Sequence, residues 1–144
     1  METTTVLSSR SLQFYAITRK WLSDIEFYRT EVSFLQKLLD ERFFTSPAAD
    51  ERKKIAQLNS ELMIFEVEKN QLESSLTQQQ KYLELMIEDI IPEDVSWLAG
   101  KQIELEKSVS EVFTEYKAVK ERIFRALQKN HGVSEVAGRP LFAN

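Results

Sequence analysis

The chain has 144 residues with a formal net charge of −4; 42% of them are apolar, 29% are charged and none is cysteine. This length suits one domain with a real core, and the lack of cysteine excludes disulfides, thiolate metal sites and thiol catalysis. Three glycines and three prolines are few, which favours long helices over a β-fold full of turns. Pro47 and Pro92 divide the chain into thirds.

Apolar residues in the first third follow alternating steps of four and three, the 3.5-residue average of a coiled-coil seam. This seam consists of Trp21, Ile25, Tyr28, Val32, Leu35 and Leu39. It predicts a helix from about residue 10 to 44. The preceding residues 1–9 are small and polar, so we expect a flexible N-terminus there.

The second third has the longest seam, with the same alternation over 36 residues. Its eleven positions, nine of them apolar, are Ile55, Leu58, Leu62, Phe65, Lys69, Leu72, Leu76, Gln79, Leu83, Met86 and Ile90. It predicts a helix over about 48–91. The polar run Gln78–Gln80 crosses this seam, and the sequence leaves open whether the helix breaks there.

The last third predicts a helix over about 93–130, with Gly132 as the residue that ends it. Its seam reads Val95, Leu98, Gln102, Leu105, Val109, Val112, Tyr116, Val119, Ile123 and Ala126. Short connections make sequential helices antiparallel neighbours. We therefore predict an all-α, antiparallel up-down-up bundle of three long helices over 10–132, with coiled-coil-like heptad packing and a C-terminal tail over 133–144.

Patterns that indicate chemistry are absent from the sequence. His131 is the one histidine, no Glu-x-x-His occurs, and no glycine-rich phosphate loop is present. We therefore predict no enzyme, no catalytic residue, no cofactor and no metal site. Basic and acidic residues are interleaved, which argues against a nucleic-acid partner. With no apolar stretch near the ~20 residues that span a bilayer and no signal peptide, we expect a cytoplasmic protein without a membrane role.

Three polar residues occupy seam positions that should be buried: Lys69, Gln79 and Gln102. Polar residues at such positions commonly fix register or oligomeric state, which is the reading we favour. Counting from the turns places Lys69 level with Asp24 and Glu115, so we expect it to reach one of these carboxylates or to extend out of the core.

A ligand pocket between the helices is the alternative for the same polar residues. It would lie near Lys69, Gln79, Tyr28 and Tyr116, and a ligand of ordinary size would need several hundred Å³ there. The sequence thus carries a second function hypothesis, a helical bundle that binds a small molecule.

A stripe of apolar residues on the first helix lies off its seam. With Ile25 at heptad position a, Phe27 and Phe34 both fall at c, which usually faces water, and Leu38 falls at g beside them. Trp97 falls at c on the third helix. The stripe is either covered within the chain, by a wide bundle or by Leu141-Phe142 of the tail, or it is an interface.

The favoured function is a non-catalytic interaction or scaffold protein that presents a long helical surface. Its partner would be a second copy, giving a homodimer through Phe27, Phe34 and Leu38, or another helical protein. The heptads by themselves do not separate a three-helix monomer from a dimer with exchanged helices.

Overall fold

A computed structural model describes residues 2–137, and the side chains of residues 10–128 within them. It has three long helices packed against each other: α1 (Glu2–Thr45), α2 (Ala49–Ile87) and α3 (Val95–Ala137). No strand occurs among residues 2–137. The predicted all-α, three-helix bundle is confirmed. The antiparallel order and the heptad packing stay predictions.

The ends of the helices differ from the predicted ones. α1 reaches back to Glu2, into the segment for which we expected a flexible terminus, and α3 continues past Gly132 to Ala137. A single glycine costs only about 1 kcal/mol in a helix interior, so it need not end a helix. α2 runs unbroken through Gln78–Gln80.

α2 ends at Ile87 rather than near residue 91. Asp89 has a φ of 59°, in the left-handed region that aspartate tolerates better than most residues. The N–H of Ile90 then donates to the carbonyl of Leu85 at 2.9 Å, which closes the helix. Pro92 disfavours a helical conformation at the residue before it. Ile90, the last predicted seam position, therefore lies outside the helix and is exposed.

The chain forms two compact units. The first contains α1 up to Thr30 together with Glu66–Phe113, and the second contains Glu31–Phe65 together with α3 from Thr114. Two core clusters lie in the first unit. The larger consists of Ile25, Leu72, Leu76, Leu105 and Val109, and the smaller of Leu83, Met86 and Leu98.

In the second unit, two aromatic rings form part of the core. Phe65 and Tyr116 are stacked, with ring centroids 4.4 Å apart and planes at 29°, and both are buried. The hydroxyl of Tyr116 donates to Glu31, and Lys120 Nζ lies 2.9 Å from the other oxygen of that carboxylate. The phenol thus keeps a polar partner although its ring is buried.

Among the described helices, none combines the length and the apolar character that crossing a membrane requires. The described residues contain no group of three or more His, Cys, Asp or Glu side chains placed to hold a metal ion.

Candidate functional site

Two of the predicted polar seam residues meet inside the first unit. Gln79 is 1% exposed and Gln102 is 5% exposed, and Gln79 Nε2 donates to Gln102 Oε1 at 3.3 Å. The second polar atom of each amide, Gln79 Oε1 and Gln102 Nε2, is buried without a hydrogen-bond partner. An unpaired buried polar atom costs about 1–3 kcal/mol. Both unpaired atoms are covered by the surrounding protein, so an outside partner reaches them only after a rotation of the amide side chain.

A cavity of about 160 Å³ lies beside this amide pair, between α2 and α3. It is lined by Ser75, Gln78, Gln79, Tyr82, Trp97 and Lys101. The rings of Tyr82 and Trp97 form an edge-to-face pair, with centroids 5.6 Å apart and planes at 72°. The cavity thus combines one buried amide, two partly exposed aromatic rings and a cationic side chain.

The start of α3 positions the tryptophan of this cavity. Asp94 Oδ1 accepts the backbone N–H of Trp97 at 3.1 Å, and the carbonyl of Asp94 accepts from Leu98 at 2.9 Å. This is the pattern of an N-cap residue, which satisfies otherwise free N–H groups in the first turn. The cap fixes the first turn of α3 and so places the indole against Tyr82.

Lys101 borders a second groove as well. This groove has a volume of about 260 Å³, shares Ser75 and Lys101 with the first cavity, and has Leu72, Leu105 and Val112 in its wall. Lys101 Nζ lies 3.9 Å from Glu104 Oε1, a long separation between a partly exposed lysine and an exposed glutamate. Such pairs contribute little, so the ammonium is held weakly and is accessible to an anion.

Lys69 is fully buried, and its ammonium lies 2.6 Å from Glu66 Oε1, three residues earlier on α2. Lys69 therefore neither pairs with Asp24 or Glu115 of a neighbouring helix nor extends out of the core, and both forms of that prediction are wrong. Asp24 pairs instead with Lys20, at 3.6 Å. A buried ammonium needs a carboxylate within reach, and the adjacent turn of its own helix provides one.

The two tyrosines of the predicted pocket are engaged in aromatic contacts. Tyr28 packs edge-on against Phe113, with centroids 4.9 Å apart, and Tyr116 stacks on Phe65. Lys69 and Gln79 are ten residues apart on α2, which is about 15 Å along a helix. Of these four residues, Gln79 is the one that lines the cavity beside Trp97.

Arg29 links α1 to α2 in the first unit. Its guanidinium pairs with Glu73 and with Glu26. The hydrogen bond to Glu73, and after it that to Glu26, raises the pKa of Arg29 above its usual value. The guanidinium therefore stays charged throughout the ordinary pH range.

The predicted stripe on α1 is only partly covered. Phe27 is 61% exposed and Phe34 is 55% exposed, while Leu38 is partly buried. Seven residues before Phe27 stands Lys20, and seven after Phe34 stands Glu41, both exposed. We name Lys20, Phe27, Phe34 and Glu41 the α1 column. The tail residues Leu141 and Phe142, predicted as one cover for the stripe, lie outside the described residues.

Sequence reasoning identified Gln79 and Gln102 singly and missed Tyr82 and Lys101. A signal for both was present: Tyr82 stands three residues after Gln79, on the same helical face, and Lys101 directly precedes Gln102.

The amide pair allows a direct test of its energetic role. Replacing Gln102 alone with leucine should lower the free energy of unfolding by about 1–3 kcal/mol, because it leaves the buried Gln79 amide without its partner. Replacing both with leucine should restore most of that loss, since no polar atom is then stranded. Urea unfolding of both variants and the parent measures this. A double variant that loses as much stability as Gln102→Leu alone, or more, would contradict it.

Comparison of the chain with models of protein families, with curated proteins and with solved structures gives no match. The function is therefore inferred from the geometry of the chain itself.

Proposed function

We propose that this chain is a non-catalytic helical interaction protein that forms a homodimer through the α1 column, with Leu38 beside it. The observation that carries the proposal is the exposure of more than half of Phe27 and of Phe34 on one helix. Burying such a side chain fully is worth about 1.5–3 kcal/mol, so leaving two of them in water favours association. The cytoplasmic location inferred from the sequence stays a prediction.

The order of residues in the α1 column favours a second copy as the partner. The column reads Lys20, Phe27, Phe34 and Glu41, and successive members are seven positions apart. Two copies of α1 that meet antiparallel place each Phe27 against Phe34 of the second copy. The same register places each Lys20 against Glu41 of the second copy. A parallel arrangement would oppose like charges, which is unfavourable. The column is thus self-complementary in the way that a two-fold interface requires.

The size of the column predicts a weak dimer. A phenylalanine that is buried completely removes at most roughly 150–250 Å² from water. Four half-exposed rings therefore bury roughly several hundred Å², less than the roughly 1,200 Å² at the lower limit of stable interfaces. We expect an equilibrium between monomer and dimer that depends on concentration.

Exchanging charges in the column tests the partner and the register together. Lys20→Glu should weaken the dimer, because each new glutamate then faces Glu41 of the second copy. Adding Glu41→Lys to that variant should restore the parent affinity, since the opposite charges are again paired. Sedimentation equilibrium over a range of concentrations at low salt, where exposed charges are least screened, measures the dimer fraction.

Lys107→Glu is the matched control, because Lys107 is an exposed lysine on α3 outside the column. It makes the same change in net charge and should leave the dimer fraction unaltered. A particle that is monomeric at every concentration would overturn the proposal. So would a loss of association in the Lys107 variant equal to that in the Lys20 variant.

A further inference from the structure

The amide pair of the first unit leaves an acceptor that no side chain or backbone group of the described residues satisfies. Gln79 Oε1 is buried without a partner, and Gln79 is also a lining residue of the cavity with Tyr82 and Trp97. Buried polar atoms are almost always hydrogen-bonded, and each exception calls for a cause such as a water, an ion or a ligand. Gln79 is 1% exposed and its Oε1 is covered, so a donor in the cavity reaches this oxygen when the Gln79 side chain rotates toward it.

We propose that this cavity binds a small monocyclic carboxylate that also carries an N–H or O–H donor. The donor satisfies Gln79 Oε1. The carboxylate pairs with the ammonium of Lys101. The planar ring packs against Trp97 and Tyr82.

Each part of this ligand follows from one part of the lining. The Gln79 oxygen accepts, so the facing ligand group must donate. Lys101 has three N–H donors and a weak existing partner in Glu104, at 3.9 Å, so an anion competes for it easily. Partly exposed aromatic rings prefer a flat apolar group, which they can stack upon or meet edge-on.

The size of the cavity limits the ligand to one ring. Its volume of about 160 Å³ is close to that of a cavity of about 150 Å³ that admits benzene. That reference cavity is apolar and closed, whereas this one is partly open and has polar residues in its lining. A fused-ring ligand would extend into the neighbouring groove that shares Lys101.

Three probes separate the parts of the proposal. 4-Aminobenzoate carries both the donor and the carboxylate, benzoate lacks the donor, and aniline lacks the carboxylate. We expect 4-aminobenzoate to bind roughly tenfold more tightly than either of the others, as loss of a hydrogen bond to a charged or buried group predicts. Titration followed by NMR, at the indole N–H of Trp97 and the side-chain amides of Gln79 and Gln102, gives both affinity and location.

Two variants assign the contacts. Lys101→Met should weaken the binding of 4-aminobenzoate and benzoate roughly tenfold and leave that of aniline unchanged. Lys107→Met, at an exposed lysine of α3 outside the cavity, should alter none of the three. Gln79→Met should remove the preference for 4-aminobenzoate over benzoate. Should Gln79→Met fail to fold, the Lys101→Met variant still decides, because Lys101 is partly exposed and its replacement is expected to leave the fold intact.

Three results would overturn the proposal. The first is the absence of shifts at Trp97 up to about 10 mM probe, with the unpaired amide atoms held by water alone. The second is an equal affinity for all three probes. The third is an affinity for 4-aminobenzoate that Lys101→Met leaves unaltered.

Discussion

Replacing Glu66 with alanine is expected to lower the free energy of unfolding by about 3 kcal/mol. Lys69 is fully buried, and the carboxylate 2.6 Å from its ammonium belongs to Glu66. Removal of that carboxylate strands a charge in the core, where desolvation of an ion costs several kcal/mol. Alanine is the best helix former, so the loss does not come from the backbone of α2. Urea unfolding followed by circular dichroism measures it.

The companion variants show whether the stranded charge is the cause. Lys69→Met keeps a long side chain and removes the ammonium, so its stability should be close to that of the parent or higher. The double variant Glu66→Ala/Lys69→Met should recover most of what Glu66→Ala loses. If the double variant stays as unstable as Glu66→Ala, the buried charge is not responsible and Glu66 acts through other contacts.

The pairing of Lys69 shows which features the spacing of apolar residues predicts and which it does not. A regular seam predicts that a residue at its centre is buried, because every seam position points to the same side of the helix. It does not predict which carboxylate the ammonium reaches. Asp24 and Glu115 were expected at the same height on the other two helices. A residue three positions earlier on the same helix, however, is always about 5–6 Å away. Local geometry therefore decided the partner.

The limits of α2 and α3 illustrate the same distinction. The three helices were predictable because apolar periodicity and the positions of Pro47 and Pro92 are properties of the sequence alone. The left-handed turn at Asp89, which closes α2 four residues early, depends on a backbone choice that several residue types permit. Gly132 likewise permits a helix end without requiring one.

The cavity beside Gln79 could be predicted only in part. Its two amides were identified because polar residues in an apolar seam are conspicuous. Their meeting depends on the rotation and height of α2 relative to α3 within the first unit, which the seam by itself does not specify. Tyr82 and Lys101 lie at the edge of the seam, where a partly exposed residue has no pattern of its own.

Phe65 and Phe34 allow a comparison of the same residue type in two environments. Phe65 lies in the core, and Phe34 lies on the surface. Phe65→Ala should lower the free energy of unfolding by about 3–5 kcal/mol, because Phe65 is 1% exposed and stacks on Tyr116. Phe34→Ala should change it by about 0.5 kcal/mol or less, since Phe34 is 55% exposed. Both values come from urea unfolding at a protein concentration low enough to exclude dimers.

The order of the two variants should reverse when the dimer fraction is measured: Phe34→Ala should then have the larger effect and Phe65→Ala the smaller. Phe34→Ala should reduce the dimer fraction in sedimentation equilibrium, because it removes two of the four rings that we propose to meet between copies. Under conditions where Phe65→Ala remains folded, its dimer fraction should match that of the parent, since a buried ring contributes nothing to an outer surface. If Phe34→Ala instead destabilised the dilute protein as much as Phe65→Ala does, Phe34 would be part of the core, and the α1 column would not be an interface.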